Sequence, residues 1–111
     1  KAPTSNSLPD QPGATWVSID PIQCLGNPWE QDWLRRNNGT WGDYPQEWEA
    51  QRAIITDYYA RLGIRVLAAR RDWWDRPVCE ACSCPAGYTL YLLVPDEDVA
   101  DIVAQEFEVV P

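Results

Sequence analysis

The chain contains 111 residues with a formal net charge of −8, and 45% of its residues are hydrophobic. This length and composition suit one compact globular domain. The acidic surplus argues against nucleic acid or an anionic membrane surface as a partner. The sequence has no histidine, which excludes a histidine-based catalytic triad. No apolar run approaches the roughly 20 residues that span a bilayer, so we expect no transmembrane segment.

The first 14 residues differ in composition from the rest of the chain. Residues 1–14 contain three prolines, with serine and threonine, and few side chains that a core would bury. This pattern predicts a flexible Pro/Ser-rich tether, followed by a single α+β domain at 15–111. Because the first residue is Lys1 rather than methionine, we expect that a targeting segment has been removed. A spacer of this kind often follows a lipidated cysteine, so a lipid anchor upstream is a further hypothesis.

The first predicted strand covers residues 15–19, which alternate and are rich in β-branched and aromatic side chains. Residues 20–45 contain repeated glycine, asparagine and proline residues. They predict a long irregular insertion with one helical turn around residues 29–36. Asn38 begins an Asn-Gly-Thr glycosylation sequon within this segment, which matters only in a eukaryotic secreted chain.

A helix is predicted over residues 46–62, because apolar and aromatic side chains fall there at helical spacing. Gly63 ends this helix, and Ile64 is placed for the hydrophobic contact of a Schellman cap. The second strand is predicted at residues 64–70, and residues 71–76 could extend it.

The strongest strand signal lies at residues 88–94, which are nearly apolar throughout. This composition predicts a central strand in a sheet that helices cover. The last helix is predicted to begin at Pro95, with Asp96 as its N-cap. A short closing strand is predicted at residues 107–110.

The predicted order of elements is strand, helix, strand, strand, helix, strand. This order resembles the βαββαβ pattern of ferredoxin-like domains. The predicted fold class is therefore α+β, a ferredoxin-like sandwich with a long irregular insertion after the first strand. In this topology the third strand lies between the first two and is antiparallel to both. The end of the first strand then shares one edge of the sheet with the connection between the second and third.

The four cysteines lie at positions that this topology brings together. Cys24 follows the first strand, and Cys79, Cys82 and Cys84 precede the third. An even cysteine count favours disulfides and an extracytoplasmic location, whether secreted, periplasmic or on the cell surface. Since a Cys82–Cys84 bridge would be strained, two pairings remain: Cys24–Cys82 with Cys79–Cys84, or Cys24–Cys84 with Cys79–Cys82. A four-thiolate zinc or iron–sulfur site and a redox pair are the alternatives.

The seven tryptophans predict an aromatic interaction surface with two parts. Trp29, Trp33 and Trp41 lie in the insertion, and Trp73 and Trp74 lie among arginines after the second strand. Tryptophan and arginine are common anchors of protein interfaces. The rings of the insertion, together with nearby amides and carboxylates, could instead bind sugar, or they could hold the long loop on the domain.

The sequence predicts no enzyme. No phosphate-binding glycine loop is present, no carboxylate pair stands out, and a cysteine nucleophile would lack a histidine partner. We expect a non-catalytic extracytoplasmic interaction or structural domain without a cofactor. Its partner is expected to be another protein or copies of itself, within a larger assembly. The alternatives are a four-cysteine metal-binding or redox module, and a carbohydrate-binding domain that uses the Trp-rich loop.

Overall fold

The structure, a computed structural model, describes residues 8–111. This part of the chain contains four strands, three α-helices and two short 3-10 turns, so the predicted mixed α+β class is confirmed. In chain order the strands and helices are β1 (Ala14–Ile19), α1 (Pro28–Asn37), α2 (Trp48–Arg61), β2 (Ala68–Trp73), β3 (Tyr88–Pro95), α3 (Val99–Val103) and β4 (Glu108–Val109). The 3-10 turns cover Trp41–Asp43 and Asp96–Asp98.

The four strands form one antiparallel sheet with the order β2-β3-β1-β4. β3 lies between β1 and β2, and its residues 89–95 are all buried. Leu92 of β3 pairs with Val17 of β1 on one side and with Ala69 of β2 on the other. A nearly continuous apolar run suits this position, because a central strand covered by other elements exposes little of its surface.

The hydrophobic core lies between one face of this sheet and the helices. β3 contributes Leu90, Leu92 and Val94, whose even spacing places them on the same face. The other core members are Val17, Trp29, Ile55, Tyr59, Ile64, Ile102 and Phe107. The ring of Tyr59 in α2 lies 5.6 Å from that of Phe107, between centroids. Burial of each large apolar side chain contributes about 1.5–3 kcal/mol, which holds all three helices on the sheet.

The prediction of an irregular segment is wrong for residues 28–37, which form the ten-residue helix α1 rather than a single turn. Proline suits the first turn of a helix, and Pro28 occupies it. Only Trp29 and Glu30 of this helix are buried. The apolar stripe in the sequence is therefore weak, and the burial of Trp29 in the core supplies the stability that a short helix lacks on its own.

The C-terminus of α2 has the predicted Schellman cap. The N–H of Gly63 donates to the carbonyl of Ala60 at 3.0 Å, and the N–H of Ile64 donates to the carbonyl of Tyr59 at 2.9 Å. Gly63 has a φ of +83°, a conformation that favours glycine, and Ile64 is buried in the core. The cap therefore both ends the helix and anchors the chain that follows.

β2 begins later than predicted, at Ala68 instead of residue 64. After the cap, the N–H of Arg65 donates to the carboxylate of Asp98 at 3.1 Å, which holds this part of the chain against the start of the last helix. Pairing with β3 starts when the N–H of Leu67 donates to the carbonyl of Leu93 at 2.8 Å. The contact of Arg65 with the carboxylate of Asp98 thus shifts the start of β2 to a later residue. Residue propensities over a short segment do not reveal a contact with a residue so far along the chain.

The last helix also begins later than predicted. Asp96 is not its N-cap, because the carboxylate of Asp96 accepts a hydrogen bond from the hydroxyl of Thr15 at 2.6 Å. A 3-10 turn precedes α3, which starts at Val99. The closing strand β4 is shorter than the predicted range, and Phe107 just before it is buried in the core.

Part of the predicted tether contacts the domain. Leu8 is buried, and the indole N–H of Trp16 donates to the carbonyl of Pro9 at 2.9 Å. Leu8 and Pro9 therefore lie against the domain, although the sequence assigned them to the tether. The rest of the predicted tether, residues 1–7, lies outside the described residues.

Replacing Gly63 by alanine tests the left-handed cap. A Cβ at this position would meet no atom within 4 Å, so the cost is conformational, about 1 kcal/mol of unfolding free energy. Gly42→Ala is the matched control, because that position is equally open and lacks the positive φ. Its stability should be unchanged or slightly higher. Urea denaturation measures both, and equal stabilities for the two variants would contradict the assignment of the cap.

Candidate binding cleft beside the disulfides

The four cysteines form two disulfides at one end of the sheet. Cys24, in the loop after β1, is bonded to Cys82 in the connection between β2 and β3. Cys79 is bonded to Cys84 within that connection. Of the two pairings that the sequence left open, the structure contains this one, and all four sulfurs are engaged. A four-thiolate metal site would first require both bonds to be reduced.

Hydrogen bonds from Gln23 join the same two loops. Its backbone N–H donates to the carbonyl of Cys84 at 3.0 Å. Its side-chain amide donates to the carbonyls of Cys79 at 2.7 Å and Pro85 at 3.0 Å. The sequence analysis did not identify Gln23. Its position next to Cys24 was the available signal, since a residue beside a bridged cysteine faces the loop across the bridge.

Asn27 fixes the loop that connects Cys24 to α1. Its side-chain amide donates to the carbonyl of Ile22 at 3.0 Å, and its side-chain oxygen accepts the N–H of Ile22 at 2.9 Å. Its backbone N–H and side-chain amide also donate to Oε1 of Glu30, at 3.1 and 2.7 Å. Cys24 and Leu25 have left-handed φ values of 64° and 54°, which are costly without glycine. The bonds of Asn27 hold the loop in this shape.

A cleft of about 310 Å³ opens beside this loop, between α1, the start of α2 and the neighbouring ends of β2 and β3. Its lining residues are Ile22, Gln23, Cys24, Leu25, Glu30, Tyr44, Gln46, Gln51, Arg71, Trp73, Ala86 and Tyr88. The charged groups among them are one carboxyl and one guanidinium, and three of the side chains are aromatic. The cleft therefore combines flat apolar walls with polar groups of both signs.

The guanidinium of Arg71 lies among aromatic rings at the wall of the cleft. Its Cζ is 4.6 Å from the ring centroid of Trp48, 5.1 Å from that of Trp73 and 5.7 Å from that of Tyr88. Nη1 donates to Oε1 of Gln51 at 3.0 Å. Cation–π contacts of this kind stabilise a cation by about 0.5–2 kcal/mol. They hold Arg71 in place and orient Trp73, which lies two residues along β2 on the same face.

Tyr44 is buried, and its hydroxyl has no hydrogen-bond partner in the part of the chain that the structure describes. Burial, followed by the nearby carboxyl of Glu30, raises the pKa of Tyr44 well above its usual value. Burial and the carboxyl of Glu30 also raise the pKa of Tyr88, to about 12, although the positive charge of Arg71 acts to lower it. Tyr44 therefore keeps its proton at neutral pH and can donate to a ligand.

Glu30 is also buried, and it lines the same cleft as Tyr44. Burial raises the pKa of its carboxyl above the usual value, and the hydrogen bonds from the side chain and backbone of Asn27 act in the opposite direction. Burying a charged carboxylate is unfavourable unless it is fully hydrogen-bonded. The carboxyl therefore gains from any ligand that donates a further hydrogen bond to it.

The tryptophans predicted for the insertion have three different environments. Trp29 is buried, with an exposed fraction of 1%, so it belongs to the core and is excluded from any contact surface. Trp33 is half-buried and packs edge-on against Tyr44, with 5.5 Å between ring centroids. Trp41 is 60% exposed, as is Trp73 on β2. Two of the predicted surface residues therefore present most of their ring to solvent.

A larger groove of about 460 Å³ lies on the opposite face of the sheet. Its polar groups bond one another: the indole of Trp74 donates to the hydroxyl of Thr89, which donates to the carboxylate of Asp20, both at 2.9 Å. Two further carboxylates, Glu106 and Glu108, line it. The cleft beside the disulfides is the better candidate site, because its lining residue Tyr44 has a buried hydroxyl without a partner among residues 8–111.

These features define a small α+β domain stapled by two disulfides, with one polar, aromatic cleft at the stapled end. Comparison with protein-family models, with curated proteins and with solved structures finds no match for this chain. In the described range 8–111, no helix combines the length and the apolar character needed to cross a membrane. The two disulfides are compatible with a secreted protein.

The two disulfides should contribute unequally to stability. The sequence separations are 58 residues for Cys24–Cys82 and 5 for Cys79–Cys84. On the chain-entropy model, replacing both partners by alanine should lower the unfolding free energy by about 4 kcal/mol for the long bridge and about 2 kcal/mol for the short one. Urea denaturation of the two double variants measures this difference. With the other pairing each double variant would break both bridges, so equal losses from the two variants would contradict the assigned pairing.

Replacing Glu30 by glutamine should change how stability depends on pH. Folding raises the pKa of the Glu30 carboxyl above its ordinary value of 4.5. At a pH between the ordinary and the raised pKa, this carboxyl therefore holds its proton more often in the folded protein than in the unfolded chain. The unfolding free energy of the parent protein falls as the pH rises through this range. Glu30→Gln retains the side-chain oxygen and removes this titration. Its stability relative to the parent protein should rise as the pH rises through and above the ordinary carboxyl range, as measured by urea denaturation, whereas a difference that falls with pH would contradict the raised pKa.

Proposed function

We propose that this chain is a non-catalytic domain of an extracytoplasmic protein, and that it contacts another protein through the turn that carries Trp41. The domain acts as an interaction or structural subunit of a larger assembly and uses no cofactor. The observation that carries the proposal is the 60% exposure of the Trp41 side chain. A large aromatic ring left in water is unfavourable by itself, and tryptophan is among the commonest anchors of protein interfaces.

The turn that presents Trp41 is internally hydrogen-bonded. The N–H of Thr40 donates to Oδ2 of Asp43 at 2.7 Å, and the N–H of Asp43 donates to the carbonyl of Thr40 at 2.9 Å. These reciprocal bonds fix the backbone of the turn from which the ring projects. A turn whose backbone is already ordered loses little backbone entropy when it binds, which favours affinity.

The helices beneath the turn are also held together. Arg61 of α2 donates from Nη2 to Asp32 of α1 at 2.6 Å, and this bond is the main cause of the lowered pKa of Asp32. Trp33 of α1 packs against Tyr44 just after the turn. The Trp41 turn therefore lies on a rigid base.

The charge of the chain favours a different protein as the partner over a second copy. With a net charge of −8, two copies repel each other over long range, whereas a neutral or basic surface does not. A sugar site on the insertion is less well supported, because Trp29 is buried and Trp33 is half-buried. A row of exposed rings is what such a site would need.

Two further points belong to this proposal. The extracytoplasmic location is supported by the two disulfides, which persist where the redox environment is oxidising. A ferredoxin-like architecture is supported by the strand order, in which β3 lies between β1 and β2, and β4 lies beside β1. The helix α1 and the Trp41 turn then form the insertion after the first strand.

Site-directed photo-crosslinking tests the proposed contact. A benzophenone amino acid at position 41, expressed in the source organism, should yield a protein adduct of defined mass. The same substitution at Trp73 is the matched control, because its ring has the same exposed fraction, and it should yield no such adduct. Trp41→Ala should leave stability within about 0.5 kcal/mol, since its ring is mostly exposed.

Two results would overturn the proposal. One is the absence of any protein adduct at position 41. The other is an adduct that contains only a second copy of the chain, accompanied by self-association in sedimentation experiments.

A further inference from the structure

The cleft beside the disulfides is separate from the Trp41 turn and carries an inference of its own. We propose that this cleft binds a single ring of a neutral sugar, with Trp73 stacked on the ring and Tyr44 and Glu30 bonded to its hydroxyl groups. The site does not depend on the proposed protein contact. It also differs from the sugar site considered for the insertion, because its stacking ring, Trp73, comes from β2 and not from the insertion.

The size of the cleft limits the ligand. Its volume of about 310 Å³ is at the lower end for small-molecule sites, which run from about 300 to 1,000 Å³. This space suits one ring with its substituents, and a longer chain would have to continue outside the cleft.

The aromatic wall suits the face of a sugar ring. Trp73 is 60% exposed, and its ring lies 4.9 Å from that of Tyr88 between centroids. One face of a pyranose ring consists of C–H groups, which are apolar and slightly positive, and the face of an indole ring is apolar and slightly negative. Arg71 lies 5.1 Å from the ring centroid of Trp73, and this cation–π contact helps to hold the indole in place.

The polar groups need partners that both donate and accept. The hydroxyl of Tyr44 is buried and unpaired in the described structure, and a buried polar group without a partner costs about 1–3 kcal/mol. Glu30 is 7% exposed, and its Oε1 accepts both bonds from Asn27. A sugar hydroxyl can accept from Tyr44 and donate to Glu30, so one ligand serves both groups.

The charges in the cleft favour a neutral ligand. The lining contains one carboxyl, Glu30, and one guanidinium, Arg71. The carboxyl would repel an anionic ligand and the guanidinium would repel a cationic one, and both repulsions are unfavourable in a partly desolvated site. A neutral polyhydroxylated ligand is repelled by neither group.

Nuclear magnetic resonance titration of the full chain tests the proposal. The probes are D-glucose, D-galactose and N-acetyl-D-glucosamine, with acetate and methylammonium as charged comparisons. At least one sugar should shift the indole N–H signal of Trp73 in a saturable manner, with a millimolar dissociation constant, and should leave the signal of Trp41 unchanged. The absence of saturation with all three sugars, or tighter binding of either charged probe, would overturn the proposal.

Three variants separate binding from folding. Tyr44→Phe should weaken sugar binding by about fivefold to tenfold. It should not lower stability, because the hydroxyl that it removes bonds no other group among the described residues. Trp73→Ala should abolish binding, and Trp41→Ala, at an equally exposed tryptophan, should retain it. A Tyr44→Phe variant that is stably folded and binds sugar as tightly as the parent protein would refute the assigned contacts.

The two proposals fail independently. Saturable sugar binding without a crosslink at position 41 would support the sugar site and overturn the proposed protein contact. A crosslink at position 41 without sugar binding would support the protein contact and overturn the sugar site.

Discussion

The Cys24–Cys82 disulfide is the constraint on which the rest of the structure depends. It joins the loop after β1 to the connection between β2 and β3, across a separation of 58 residues, and closes the end of the sheet where the cleft lies. A domain of this size buries only about two-thirds of its unfolded surface. A disulfide stabilises the folded state because it removes entropy from the unfolded chain. The free energy that it contributes is then a large share of a net stability of about 5–15 kcal/mol. Gln23 adds hydrogen bonds between the same loops and sets their separation.

Asn27 connects the disulfide-bonded loop to the cleft by hydrogen bonds. Its side chain bonds both backbone groups of Ile22, and its amides bond the carboxyl of Glu30. The loop thereby keeps two left-handed residues that are not glycine, and α1 keeps a carboxyl buried at its first turn. Local costs of this kind occur close to the hydroxyl of Tyr44, which has no partner in the described range 8–111. Such a grouping of local costs is typical of binding sites, where local rules are broken and the surrounding structure compensates.

The two exposed tryptophans have equal exposure and different surroundings. Trp41 lies on a short hydrogen-bonded turn and offers its ring outward. Trp73 forms one wall of the cleft, with Arg71 and Tyr88 beside it. The sequence grouped both with Trp29 as one kind of surface residue, because composition and spacing do not distinguish a ring in the core from a ring in solvent. The domain therefore has one exposed indole ring on a short turn and another at the wall of a cleft, on different elements.

The sequence by itself determined the elements whose signals are local or follow from chain order. β3 is recognisable because its residues are nearly all apolar, α2 because its spacing is helical and Gly63 ends it, and the meeting of Cys24 with the 79–84 segment follows from the order of strands. Tertiary structure alone decided that α1 is a full helix, that Trp29 is buried while Trp73 is exposed, and which cysteines pair. Within the part of the chain that the structure describes, it also left the hydroxyl of Tyr44 without a partner. These outcomes depend on which atoms meet after the chain has packed, and a local pattern of residue types does not contain that information.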